Sequence, residues 1–189
     1  VDITVPIPRL VQPIIASHRL VLKALPGALA IQRGRGQNTK PRSQPVEALS
    51  DGSIVPAYMG DAVNGRAIEN RTPDPSRMVA AALQARDIEQ ALTEAVGTHL
   101  PAAHEALLLP YELSFLRTDE GTGQQYLFSA DLPWVGLRTN AASEPHVRLL
   151  RGLENPVGVK IGANSTAEHI QALRTHLNPE AEPGKLVLM

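Results

Sequence analysis

The 189-residue chain has a formal net charge of −1 at pH 7, with 43% hydrophobic and 20% charged residues, which is typical of a folded globular protein. The small net charge and 3% aromatic content argue against nucleic-acid or membrane-surface binding. The sequence contains no cysteine, which excludes disulfides, thiolate metal ligands and cysteine nucleophiles. No apolar run is long enough to cross a bilayer and no signal peptide is recognisable, so we expect a cytoplasmic protein.

The first hundred residues predict two helices separated by a strand and a long loop. Residues 1–12 alternate apolar residues with prolines and predict an extended arm, after which helical spacing runs from Pro13 to Pro26. A short apolar run at 28–33 predicts a strand. The stretch up to about residue 73 has no sustained period, and such long loops are usually functional or disordered. Asp74-Pro75 and Gly97 are start and stop signals for a helix between them.

The rest of the sequence predicts alternating strands and helices within a single domain, 1–189. Strands are expected near 99–103, 133–137, 157–161 and 186–189, and together with 28–33 they indicate about five parallel strands joined by crossover helices. Pro110 lies in the helical pattern that follows residue 105 and is expected to kink or break it. The predicted fold class is therefore α/β.

Charged residues recur where the predicted strands end. The segment 33–43 holds four cations and two glycines without an acid, and His104-Glu105, Arg138 and Lys160 follow or end later strands. Ligands of parallel sheets gather at the carboxyl ends of strands, where arginine and lysine suit phosphate or carboxylate groups. Each charge alone is more commonly a solvated surface residue, but their recurrence predicts a phosphorylated or carboxylated small metabolite as the ligand.

Seven short motifs occur in order along the chain: Lys40-Pro41-Arg42-Ser43, Tyr58-Met59-Gly60-Asp61, Asp74-Pro75-Ser76-Arg77, His104-Glu105-Ala106-Leu107, Trp134-Val135-Gly136-Leu137-Arg138-Thr139, Asn155-Pro156-Val157-Gly158-Val159-Lys160, and Pro183-Gly184-Lys185-Leu186. Together they resemble the class II (plant-type) 3-deoxy-D-arabino-heptulosonate 7-phosphate (DAHP) synthases. The resemblance covers about residues 10–189 and is most similar to the shorter members linked to phenazine-type secondary metabolism.

The resemblance implies a (β/α)8 barrel enzyme, a transferase of aromatic or secondary-metabolite biosynthesis. It condenses phosphoenolpyruvate with erythrose 4-phosphate at a divalent metal such as Mn²⁺ or Co²⁺. The residues carried over by motif are Arg33, Arg138 and Lys160 for phosphoenolpyruvate, Lys40, Arg42 and Ser43 for erythrose 4-phosphate, and His104 and Glu105 for acid–base catalysis.

The departures from the family pattern lead to further expectations. The family holds its metal with a Cys on the first strand and a His, a Glu and an Asp on the last strands, and none of these motifs is present, so we expect no metal ligands in this chain. The motif order corresponds to strands two to six of eight, which implies a chain truncated at both ends and an open partial barrel. Because open sheet edges are normally covered, we expect a homo-oligomer or a partner chain. Leu137 and Asn140 replace an acid and an arginine of the family motif.

Three functions stay open at this point. The chain can be a DAHP synthase by descent that performs the family reaction when metal ligands are supplied. It can be a degenerate homologue with metal-independent chemistry, such as cyclisation in a biosynthetic cluster. It can also be a non-catalytic partner of a full-length synthase.

Overall fold

The computed structural model describes residues 3–34 and 39–189. The chain divides into two compact units, Val1–Pro101 and Ala102–Met189. None of the helices in the described residues is long and apolar enough to cross a membrane.

The first unit consists of two long helices and a short hairpin. Its elements are α1 (Ile7–Ala24), β1 (Val46–Ala48), β2 (Ile54–Pro56), a 3-10 turn (Ile68–Asn70) and α2 (Ser76–Val96). β1 and β2 pair antiparallel, with Val46 opposite Pro56. The core of this unit lies between α1 and α2 and is built from Val11, Ile15, Ile88, Leu92 and Leu100.

Two expectations for the start of the chain are corrected. Residues 7–12 are helical and not extended. Pro8 sits in the first turn, where its missing N–H costs no hydrogen bond, and Val11 and Ile15, four residues apart, lie on the buried face of the helix. The run 28–33 is not a strand: Gln32 alone forms a bridge, with its N–H donating to the Pro101 carbonyl at 2.8 Å.

The sequence signals for α2 are confirmed at both ends. The Asp74 carboxylate accepts hydrogen bonds from the Ser76 N–H at 2.9 Å and hydroxyl at 2.7 Å, which satisfies a donor at the helix start. Gly97 ends the helix with φ 81°, a left-handed conformation that glycine adopts without strain. Its N–H donates to the Thr93 carbonyl at 2.8 Å.

The second unit is built on a parallel sheet. Its elements are β3 (Ala103–Glu105), α3 (Leu109–Ser114), β4 (Leu116–Thr118), β5 (Gln125–Leu127), β6 (Leu132–Val135), α4 (Pro145–Arg151), β7 (Val157–Val159), α5 (Ala167–Leu177) and β8 (Leu186–Leu188). Four strands form the parallel sheet in the order β3-β6-β7-β8, and β4 and β5 form a separate antiparallel pair. The described residues thus show an α/β fold with four parallel strands, and no closed barrel among them.

The two faces of this sheet have different neighbours. Val135 and Val159 pack with Leu150 of α4 and Leu173 of α5 in the main core, so this face is covered by helices. Because successive residues of a strand point to opposite faces, Trp134 lies on the other face. There it clusters with Ala103 and Leu132.

Pro110 does not break a helix in this unit. It lies in the first turn of α3, a position that proline favours. The helix expected after residue 105 and up to about 117 is therefore shorter: residues 106–108 precede α3, and the chain enters β4 at Leu116.

Candidate functional site

At the carboxyl end of the sheet, an acid and a lysine lie on the face opposite the helices. Glu105 pairs with Trp134, and Trp134 with Gly158, so these residues share a level and a face. Val135 pairs with Val159, which places Gly136 and Lys160 one step further along. The buried Glu105 and the exposed Lys160 thus come from two strands that flank β6.

Because Gly136 has no side chain, the Glu105 carboxylate can occupy the space beside its Cα. A Cβ added at Gly136 would overlap Oε1 of Glu105, which real Cβ atoms essentially never do, and it would lie a tight 3.0 Å from Cδ. The side chain of Glu105 therefore extends along the sheet toward the end of β6. Only glycine at residue 136 admits this conformation without a shift of the carboxylate.

The turn after β6 carries Arg138 and is tied to the neighbouring strand. Thr139 N–H donates to the Gly136 carbonyl at 3.1 Å, and Arg138 is exposed within this turn. The Asn140 side-chain amide donates to the Lys160 carbonyl at 2.8 Å. Asn140 therefore fixes the backbone at Lys160 relative to the Arg138 turn.

His169 of α5 holds the same junction from the helix side. Its Nε2 lies 3.1 Å from the Asn140 carbonyl, and because a carbonyl only accepts, Nε2 is the donor. Sequence reasoning identified Asn140 as a departure from the family pattern but did not predict this bracing role.

His104 lies on the opposite face of β3 from Glu105. Its Nε2 is 3.0 Å from Oε2 of Glu112, and the Ser129 hydroxyl donates to the same oxygen at 2.6 Å. One oxygen of Glu112 therefore joins the side chains of His104 and Ser129 in a single network. The His104 ring also lies near Tyr111, with ring centroids 6.3 Å apart. His104, Glu112 and Ser129 are all buried, and sequence reasoning singled out neither Glu112 nor Ser129.

In the first unit, the backbone around Tyr58 anchors the Lys40-Pro41-Arg42-Ser43 motif. Lys40 N–H donates to the Met59 carbonyl at 2.8 Å. Arg42 Nε donates to the Tyr58 carbonyl at 2.7 Å, which sets the plane of the guanidinium group. These two bonds fix the motif against the 57–64 segment. Ser43 is exposed beside them.

Tyr58 is surrounded by charged groups. Its hydroxyl donates to Asp61 Oδ1 at 2.5 Å, and the guanidinium carbons of Arg66 and Arg71 lie 5.5 and 5.7 Å from its ring centroid, a cation–π distance. Burial, reinforced by the Asp61 carboxylate, raises the pKa of Tyr58. The Arg71 guanidinium contacts Glu47 at 3.0 Å, and this hydrogen bond lowers the pKa of the Glu47 carboxyl.

Asn64 holds this loop together from inside. It is 0% exposed, and its side-chain amide donates to the carbonyls of Ala57 at 2.8 Å and Arg71 at 2.9 Å. Its side-chain oxygen accepts from the Met59 N–H at 2.8 Å. The sequence alone did not indicate a role for Asn64; its hydrogen bonds show that it stabilises the conformation of this loop.

The eight sequence-predicted site residues are divided between the two units. Arg33, Lys40, Arg42 and Ser43 belong to the first, and His104, Glu105, Arg138 and Lys160 to the second. Arg33 is exposed, and the Gly36-Gln37 part of its motif lies outside the described residues. Within the second unit, Glu105, Arg138 and Lys160 occupy the same end of the sheet, whereas His104 faces α3.

The described residues do not fit the divalent metal that the family resemblance implies. Across residues 3–34 and 39–189, no group of three or more His, Asp or Glu side chains is arranged to hold a metal ion. His99 pairs with Glu89, with 3.5 Å between Nδ1 and Oε1, and His104 is engaged by Glu112. These histidines and carboxylates are therefore not assigned as metal ligands.

Comparison with known proteins agrees with the motif pattern. The family model of the class-II DAHP synthetase family matches residues 14–93 and 83–189. A probable phospho-2-dehydro-3-deoxyheptonate aldolase of Pseudomonas fluorescens is 37% identical over 169 residues, covering 84% of this chain and 42% of that protein. A phospho-2-dehydro-3-deoxyheptonate aldolase of Streptomyces coelicolor is 33% identical over 214 aligned residues, covering 84% of this chain and 47% of that protein. The chain therefore spans less than half the length of these curated relatives. With the family model matched along most of its length, the chain belongs to the class-II DAHP synthetase family.

Proposed function

We propose that this chain takes part in the condensation of phosphoenolpyruvate with erythrose 4-phosphate to DAHP, and that it supplies substrate-binding and proton-transfer groups. The names of the two curated relatives support this reaction. We further propose that the open sheet of the second unit is an arc of a (β/α)8 barrel.

One observation carries the proposal: Glu105, Arg138 and Lys160 come from three different segments and lie at one end of a parallel sheet. Lys160 directly follows β7, and Arg138 lies in the turn after β6. Two cations at neighbouring strand ends suit a small ligand with both a phosphate and a carboxylate. We assign Arg138 and Lys160 to phosphoenolpyruvate.

The first unit supplies the groups proposed for erythrose 4-phosphate. Arg42 is oriented by its bond to the Tyr58 carbonyl and Lys40 by its backbone bond to Met59. A guanidinium group whose Nε is already engaged presents its terminal nitrogens as a fork that matches phosphate oxygens. Ser43 adds a hydroxyl donor. Arg33 is assigned to phosphoenolpyruvate by its motif.

Glu105 is the proposed acid–base residue at the strand ends. Carbon–carbon bond formation with an aldehyde develops negative charge on the aldehyde oxygen, which fixed cations stabilise and an acid neutralises. The Glu105 carboxyl shares the face and the end of the sheet with Lys160. His104 stays the second predicted acid–base residue. Comparison of the activities of the Glu105→Gln and His104→Gln variants tests which of the two side chains transfers the proton.

The test is phosphoenolpyruvate binding by the purified protein, measured by isothermal titration calorimetry. We expect Arg138→Ala or Lys160→Ala to weaken binding about tenfold to hundredfold, since one hydrogen bond between charged groups contributes about 1.5–3 kcal/mol. The matched control is Arg148→Ala. Arg148 is also exposed on the second unit, and its guanidinium group donates to the Ser143 carbonyl at 2.9 Å.

The outcomes separate the functions that the sequence left open. Absence of phosphoenolpyruvate binding, or equal binding by Arg138→Ala and the native chain, would contradict the proposal. Binding accompanied by DAHP formation in an assay with added Mn²⁺ supports the family reaction. The Arg33→Ala variant tests the assignment of that residue independently of the second unit.

The exposed edges of the sheet lead to a proposal about the assembly of the protein. We propose that the edges of the four-stranded sheet are covered by a second copy or a partner chain, because unpaired strand edges otherwise promote association. Size-exclusion chromatography with light scattering measures the assembly state.

A cytoplasmic location of the protein fits the proposed biosynthetic role, and cell fractionation tests it.

A further inference from the structure

A hollow of about 250 Å³ lies among the helices of the second unit. It is lined by residues of α4, of α5 and of the turn that precedes α4: Ala142, Ser143, Val147, Arg148, Arg151 and His176. Most ligand pockets hold about 300–1,000 Å³, so this smaller hollow suits a compact molecule or ion.

The lining is positively charged, and it contains two arginines but no Asp or Glu. Arg148 folds back onto its own segment, where Nε and Nη2 donate to the Ser143 carbonyl at 3.2 and 2.9 Å. The exposed guanidinium group of Arg151 has no hydrogen-bond or ion-pair partner among residues 3–34 and 39–189. The exposed Ser143 hydroxyl has no partner in this part of the chain either. Free donors on a cationic lining favour an anion as the ligand.

His176 offers the same hollow a hydrogen-bond acceptor. Its Nδ1 lies 2.9 Å from the Ala172 carbonyl, and because a carbonyl only accepts, Nδ1 is the donor. Nε2 lies on the other side of the ring, away from this helix turn, and in the neutral imidazole it accepts a hydrogen bond. Nε2 has no partner among the described residues, and it is not one of their unpaired atoms that are closed to solvent. A ligand can therefore reach it.

Together these groups define the chemistry of the ligand. Arg151 and Ser143 require acceptor oxygens on an anion, whereas His176 Nε2 requires a donor. The dianion HPO₄²⁻ carries both, since it has three acceptor oxygens and one O–H group. Sulfate has the same shape and charge but no O–H group, and the dianion of a phosphate monoester also lacks one.

We propose that this hollow binds inorganic phosphate as the hydrogen phosphate dianion. The phosphate oxygens accept hydrogen bonds from the Arg151 guanidinium group and the Ser143 hydroxyl, and the phosphate O–H donates to His176 Nε2. The bound ion joins α4 to α5. The site does not depend on the proposed condensation, because none of these three residues is assigned to a substrate of that reaction.

The test is a phosphate titration of the purified protein at slightly alkaline pH and constant ionic strength, followed by NMR shifts of the backbone amides of residues 142–151. We expect saturable binding that Arg151→Ala weakens about tenfold to hundredfold, through loss of hydrogen bonds between charged groups. Sulfate and methyl phosphate should bind about two- to tenfold more weakly than phosphate, because each lacks the one hydrogen bond to His176. His176→Phe should remove the preference for phosphate over sulfate. Circular dichroism confirms that each variant is folded.

The control is Arg174→Ala, which removes the same charge from an exposed position of α5 outside the hollow. It should bind phosphate as the native chain does. The amides of residues 136–139 and 160–162 report separately on the strand ends, so failure of the proposed condensation site and failure of this inference are distinguishable. The inference is overturned if phosphate causes no saturable shift at residues 142–151, or if Arg151→Ala and Arg174→Ala bind it equally. It is also overturned if sulfate or methyl phosphate binds the native chain as tightly as phosphate does.

Discussion

Replacement of Glu112 by alanine should strongly destabilise the second unit. Glu112 is 2% exposed, and one of its oxygens binds both His104 at 3.0 Å and Ser129 at 2.6 Å. The truncation removes the hydrogen-bond partner that His104 and Ser129 share and opens a cavity beside them. Loss of a buried hydrogen-bond partner costs about 1–3 kcal/mol and the cavity adds to it, so we expect a loss of about 3 kcal/mol or more. That is a large fraction of the ~5–15 kcal/mol that stabilises a typical domain.

Urea denaturation followed by tryptophan fluorescence measures this loss directly. Trp134 is the only tryptophan of the chain and is buried in the same sheet, so its signal reports on the second unit. In a thermal melt, about 3 kcal/mol corresponds to a decrease in Tm of ~12–24 °C for a unit of this size. The control Glu120→Ala changes an exposed turn residue and should have little effect. If Glu112→Ala lies within about 0.5 kcal/mol of the native chain, the network is not stabilising and the reasoning is refuted.

Three further predictions concern local geometry and pH. Gly136→Ala places a Cβ against the Glu105 carboxylate; we expect a loss of about 1–3 kcal/mol from overpacking in urea titrations, together with weaker phosphoenolpyruvate binding. Gly97→Ala meets no atom within 4 Å but adopts φ 81°, so strain alone should cost about 1–2 kcal/mol in thermal melts followed by circular dichroism. The pKa of Glu47 is held below its usual value near 4.5 by Arg71, so its contribution to stability is present above about pH 4.5 and is lost as the pH falls through the lowered pKa. Glu47→Gln should therefore flatten the acid side of the stability curve.

The elements that the sequence predicted best are those with local stop and start signals. Asp74 and Gly97 delimit α2 because a capping carboxylate and a left-handed glycine act within one turn of the chain. The prediction that Pro110 kinks or breaks a helix was wrong, because proline disrupts a helix interior but favours the first turn, where Pro110 lies. The run 28–33 looked like a strand by composition, yet a strand also requires a neighbouring strand to pair with. The hairpin strands of three residues each are too short to show a period.

The candidate site was predictable in position but not in orientation. Arg138 and Lys160 were placed at strand ends by the repeated strand–helix pattern, and the structure places them there. The strand near His104 was expected at 99–103 but occupies 103–105. His104 and Glu105 are therefore both strand residues, and because successive side chains of a strand point to opposite faces of the sheet, the two lie on opposite sides. Glu112 and Ser129 gave no signal, because a buried carboxylate and a buried hydroxyl are recognisable only once their partner in space is known.

The opposite orientation of His104 and Glu105 has a consequence for how the chain tolerates variation. On one face, replacement of His104 disturbs a buried network and so reduces the amount of folded protein. On the other, replacement of Glu105 leaves that network intact and affects the strand-end chemistry that we propose. If Glu105 and not His104 is the acid–base residue, the two adjacent positions should differ in a library screened separately for abundance and for activity. Substitutions of His104 should then lower abundance, and substitutions of Glu105 should lower activity.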